Sequence, residues 1–111
     1  MPSLFEPWGL VVHEELAYGL PVIATDQVAA ADDLIDSGVN GYVVPAGSDK
    51  ALASAMHSVA EWSPSHRREA AARTRETLPM YGIDRAADAF VRGCLLGLRH
   101  RRALNAHRPS A

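Results

Sequence analysis

Two glutamates and a glycine carry most of the chemistry this sequence offers. They lie in the run Glu6-Pro7-Trp8-Gly9-Leu10-Val11-Val12-His13-Glu14. Gly9 opens a helical pattern, Glu6 stands in the loop before it, and Glu14 lies just over one turn inside. The first turn of a helix leaves backbone N–H groups without internal acceptors, at the positive end of the helix dipole. The N–H groups of Gly9, Leu10 and Val11 therefore make an anion site, and Gly9 lets a ligand come close because it has no Cβ. At about 1.5 Å of rise per residue, Glu14 sits roughly 7 Å along the axis from the helix start. The two carboxylates then flank a central anion-binding point on opposite sides. Ionised carboxylates only accept hydrogen bonds, so they suit hydroxyl-rich groups. Sugar hydroxyls, a pyrophosphate and a ribose diol, in that order, describe a nucleotide sugar.

Each of these residues also has a plainer role open to it. A glutamate ahead of a helix complements the dipole without touching any ligand. Glu14, or its neighbour Glu15, fits the solvent side of an amphipathic helix. Against that stands the distribution of Leu10, Val11, Val12, Leu16 and Ala17 around most of the circumference. This pattern predicts a buried helix, in which one glutamate must find internal partners.

Other chemistries lack their signatures. The five histidines, His13, His57, His66, His100 and His107, show no metal-ligand spacing, so no metal site is expected. There is no dinucleotide fingerprint, no P-loop and no nucleophile elbow. A net charge of -2 offers no overall basic field, so nucleic acid is not an expected partner. With 48% hydrophobic and 22% charged residues over 111 positions, the chain suits one folded core. The lone Cys94 forms no internal disulfide framework and fits a reducing compartment. No apolar run reaches the ~20 residues a spanning helix needs, and Met1-Pro2-Ser3 begins no signal peptide. These features predict a cytoplasmic protein.

The elements that must position the glutamates are marked by their punctuation. A short apolar stub, Leu4-Phe5, stops at Glu6-Pro7 and is expected to be a strand. Gly9 to Tyr18 reads as a helix closed by Gly19 and Pro21. Pro21-Val22-Ile23-Ala24-Thr25 suits a parallel strand buried on both faces. Residues 26–30 read as loop and 31–37 as a short helix. Gly38 and Asn40-Gly41 make a turn into the strand Tyr42-Val43-Val44. Ser48 is a candidate N-cap for a helix to about Trp62, and Ser63-Pro64 opens another to Leu78. The last helix starts near Asp84, with Ile83, Ala87, Phe90 and Cys94 in register as a core face, and fades around 100–102. Trp62 is expected to pack rather than to form a sugar platform.

Strand, helix, strand, helix, strand, helix is an α/β order with a parallel sheet. Three strands are few for such a sheet, so the chain reads as the second half of a larger Rossmann-like domain with a long C-terminal helix. The expected division is 1–98 for that domain and 99–111 for a basic polar tail.

The run Pro2 to Thr25 resembles the signature of the GT-B retaining glycosyltransferases of group 1, the family-4 type. The resemblance rests on two glutamates with seven residues between them, Glu6 and Glu14, followed by Ala17, Gly19 and the Pro21-Val22-Ile23 strand. Asp33-Leu34-Ile35, the Gly38 to Pro45 stretch and Asp49 to Ala53 resemble the family's following blocks. Tyr81-Gly82-Ile83-Asp84-Arg85 resembles the start of its closing helix, with Ile83 where a tryptophan is commoner. The similarity covers roughly residues 2–98.

The resemblance implies transfer of a glycosyl group from a nucleotide-diphosphate sugar to an acceptor hydroxyl, with retention of configuration. It assigns the donor sugar to Glu6 as the catalytic-site carboxylate and the ribose to Glu14. The sugar and pyrophosphate fall to the backbone of Gly9, Leu10 and Val11. No catalytic metal or separate cofactor is implied, and the acceptor would be a saccharide or a lipid-linked group. The family's phosphate-binding arginine and lysine, and its acceptor domain, would lie upstream of Met1. The alternative expectation is therefore a catalytically inactive remnant that serves as a binding module. Arg92, Arg99, Arg101, Arg102 and Arg108, beside Leu95, Leu96 and Leu98, also allow weak peripheral association with an anionic membrane.

Overall fold

The computed structural model describes residues 1–106, with side chains to residue 101. Of the expected tail, His107 and Arg108 lie outside the described residues. The chain divides into two compact units, Met1–Leu78 and Pro79–Ala111.

The first unit contains α1 (Leu10–Ala17), β1 (Val22–Thr25), α2 (Ala29–Leu34), β2 (Gly41–Val44), α3 (Asp49–Ala60) and α4 (Pro64–Thr77). β1 and β2 pair in parallel, with Val22 opposite Gly41 and Thr25 opposite Val44. The α/β class and the parallel sheet are as expected. A third strand at Leu4-Phe5 does not form, and both side chains are exposed, at 76% and 75%. The segment before them takes that place on the free edge of β1. The Met1 amine donates to the Ile23 carbonyl, Thr25 N donates to the Met1 carbonyl at 3.3 Å, and Thr25 Oγ1 donates to the Ser3 carbonyl at 2.5 Å. After Ser3 the chain leaves the edge to reach Val28, which Glu6 meets in an isolated parallel bridge.

α1 packs against α2, α4 and β1. Only Val12 and Leu16 on it are fully buried. Leu10 and Val11 are 67% and 49% exposed, and Glu14 and Glu15 face solvent. The expectation of a helix buried around its circumference is thus corrected. Its neighbours cover one side, which the i, i+4 pair Val12 and Leu16 is enough to fill. Gly19, at φ 74°, ends the helix, with its N–H on the Leu16 carbonyl at 2.8 Å.

α2 begins two residues earlier than expected and ends at Leu34. Its first turn has no side-chain cap. Instead Ala29 N donates to the Glu6 carbonyl at 3.2 Å and Ala30 N to the Trp8 carbonyl at 2.8 Å. Beyond α2, the buried Asn40 side chain donates to the Leu34 carbonyl at 3.0 Å and accepts from Asp36 N at 2.8 Å, which closes the turn into β2.

The caps of α3 and α4 are where the sequence puts them. Ser48 Oγ accepts from Ala51 N at 3.3 Å, and Ser63 Oγ accepts from His66 N at 3.1 Å with Pro64 in the first helical turn. Arg67 Nη2 donates to the Val59 carbonyl at 2.9 Å, placing a cation on the negative end of α3. Trp62 is buried, stacks on His66 at 4.1 Å between ring centroids and meets Tyr42 at 6.0 Å, a packing role as expected. Ser48→Ala and Ser63→Ala should each lower stability by ~1 kcal/mol. Urea unfolding should show a lower midpoint with an unchanged slope.

A 3-10 turn, Leu78–Tyr81, leads into α5 (Ile83–Ala106). α5 runs past residues 100–102, where it was expected to fade. Ile83 and Phe90 are 86% and 73% exposed and Cys94 is exposed, so their expected core role is corrected. Periodicity marks an apolar face but supplies no partner for it. Among the described residues, no helix is long and apolar enough to cross a membrane.

Candidate functional site

Glu6, Gly9 and Val28 lie just beyond the carboxyl end of β1. Parallel α/β sheets bind their ligands at that end. Three backbone bonds hold the loop there. Glu6 N donates to the Gln27 carbonyl at 2.9 Å, and the Glu6 and Trp8 carbonyls receive the first N–H groups of α2. The Glu6 side chain is half-buried, and its Oε1 accepts from Trp8 N at 3.4 Å.

Gly9 caps α1 in the left-handed region, at φ 94° and ψ 64°, with no side chain on the helix end. A Cβ at Gly9 would stand 2.7 Å from Val28 Cγ1, 3.3 Å from Met1 Sδ and 3.4 Å from Glu6 Cγ. Glycine is required here both for its φ and for the space. Leu10 and Val11 occupy the first two helical positions, whose N–H groups have no acceptor within the helix. No acidic residue stands in the first turn to neutralise them. Burial of the Met1 amine lowers its pKa below the usual α-amine range.

The structure therefore gathers Glu6, Gly9, Leu10 and Val11 at one helix end. Glu14 follows one turn further along the same helix, with its side chain in solvent. Two cavities lie elsewhere in this unit and include neither glutamate. One, of about 190 Å³, sits among Thr25, Val44, Ser48 and Asp49, and the other, of about 280 Å³, among Asp32, Asp36, Asn40 and Arg73.

Sequence reasoning missed Val28 and His13. Val28 is 1% exposed and underlies Gly9, yet only its β-branched type in a loop hinted at burial. His13 Nε2 is buried with no hydrogen-bond partner, and its position beside Val12 is the only local sign of that.

A parallel α/β unit with a bare helix N-terminus at the carboxyl end of its strands has the architecture of phosphate-handling proteins. Residues 1–77 match the family described as glycosyl transferases group 1. The chain belongs to that family. It is also 35% identical, over 101 residues, to a glycogen synthase of Alkalilimnicola ehrlichii. That match covers 83% of this chain and 20% of the relative, so the chain spans about a fifth of the relative's length.

Proposed function

We propose that this chain carries the donor half-site of a retaining glycosyltransferase of the family-4 type, acting on a nucleotide-diphosphate sugar. The observation that carries it is the bare, left-handed Gly9 entry to α1, with the Glu6 carboxylate held beside it. The N–H groups of Gly9, Leu10 and Val11 receive the diphosphate. Glu6 accepts from hydroxyls of the transferred sugar, and Glu14 accepts from the ribose diol.

In the reaction the bond from the anomeric carbon to the diphosphate oxygen breaks. A bond from the same carbon to the acceptor oxygen forms on the same face. The acceptor's proton passes to the departing diphosphate. Negative charge grows on that diphosphate, and preorganised N–H donors stabilise it without reorganising. The acceptor is a saccharide or lipid-linked hydroxyl, and the donor is a substrate, so no separate cofactor is invoked.

Titration of the chain with UDP, ADP and GDP, followed by backbone amide NMR, tests this reading. The expected result is saturable shifts led by Gly9, Leu10 and Val11. Nucleotides that bind elsewhere, or leave these amides unmoved, would overturn it.

A further inference from the structure

We infer that Val28 is a positioning residue for this site, locking the Glu6 carboxylate and the anion-binding N–H groups of α1 into one unit. The inference rests on the site reading proposed above and adds to it a residue outside the Glu6–Glu14 run. Two contacts of Val28 carry it. Its backbone bridges Glu6 in parallel, and the flanking bonds from Glu6 N to the Gln27 carbonyl and from Ala29 N to the Glu6 carbonyl close that bridge. Its side chain, 1% exposed, fills the space where any other residue at position 9 would carry a Cβ.

The chain direction at Gly9 is thereby set from two sides. A left-handed glycine is the most permissive backbone position available, so something outside the helix must restrict it. α1 contributes only the backbone bond from Val12 N to the Gly9 carbonyl, at 2.9 Å, and no side-chain cap. Val28 adds a side-chain restraint from across the fold. With its side chain 1% exposed, it acts through Gly9 and Glu6. Misplacing such a site by ~1 Å is enough to lose on the order of a hundredfold in function.

The test uses the 111-residue chain, with inorganic pyrophosphate as the probe. Val28→Ala removes both γ carbons. Val28→Leu keeps apolar bulk but moves the branch away from Gly9, and it serves if the alanine variant fails to fold. Val22→Ala, a matched truncation of a buried valine in β1, is the control. Val28→Ala and Val28→Leu should each displace the Gly9, Leu10 and Val11 amide signals of the free chain and weaken pyrophosphate binding by about fivefold or more. Val28→Ile, which retains both γ carbons, should restore them. Val22→Ala should lower the melting temperature yet leave affinity within about twofold.

Val28 variants that fold and match Val22→Ala in both readouts would overturn the inference. If the wild-type chain binds no pyrophosphate at these amides, the donor-site reading falls instead. The free-chain amide signals then still decide whether Val28 positions Gly9.

Discussion

Gly41→Ala is expected to abolish cooperative folding of the first unit. Gly41 opens β2 and lies opposite Val22 in the parallel ladder. A Cβ there would stand 1.9 Å from the Val22 carbonyl oxygen and 2.9 Å from its carbon. Both obstacles are backbone, and the neighbouring bond from Val22 N to the Asn40 carbonyl, at 3.1 Å, holds them in place. No side-chain rotation relieves such a clash, so the strands must separate or slip. A slip of one residue would turn the buried Val22 and Ala24 outward.

The cost is expected to exceed ~4 kcal/mol, a large share of the ~5–15 kcal/mol that holds a small domain folded. Gly38→Ala, in the same turn, is the control. Gly38 has φ 83° and nothing within 4 Å of a built Cβ, so it bears only the left-handed penalty of ~1–2 kcal/mol. Circular dichroism melts and amide dispersion should show Gly38→Ala folded and Gly41→Ala largely unfolded. Equal melting temperatures for the two would refute the clash.

The elements whose limits depend on local punctuation were legible in the sequence. α1 ends at Gly19 because that residue takes positive φ, and α4 starts at Ser63-Pro64 because a hydroxyl cap and a proline act within three residues. The start of α2 was not legible. Its first N–H groups are satisfied by the Glu6 and Trp8 carbonyls, about twenty residues away in sequence, and no propensity encodes a partner at that distance.

The same limit applies to burial. The apolar residues of α1 and α5 mark faces correctly, but Leu10, Val11, Ile83 and Phe90 remain exposed because a period names no neighbour. At the site, the helix start at Gly9 and the placement of Glu6 before it were readable, since both follow from residue type and spacing. Val28 was not, because its contacts with Gly9 and Glu6 are made across the fold.

The two glutamates should separate when each is replaced by glutamine and three ligands are compared on the same chain. Glutamine keeps the size and removes the charge, so a charge-assisted hydrogen bond becomes a neutral one, a loss of ~1.5–3 kcal/mol at most. Glu14→Gln should weaken UDP by about ten- to a hundredfold and leave free pyrophosphate within about twofold, because only UDP carries the ribose diol. Glu6→Gln should leave UDP and pyrophosphate alike nearly unchanged. It should instead cancel any advantage of UDP-glucose over UDP, because its proposed partner is the transferred sugar. The half-buried Glu6 carboxylate, already near Trp8 N, has its orientation set by the loop. The solvent-facing Glu14 must order its side chain on binding, which places its effect toward the lower end of that range. Calorimetry on the nine protein–ligand pairs, wild type included, resolves the pattern. A Glu14→Gln chain that binds UDP as tightly as wild type removes Glu14 from the ribose, and a Glu6→Gln chain that weakens pyrophosphate places Glu6 among the groups that order the anion site rather than the sugar.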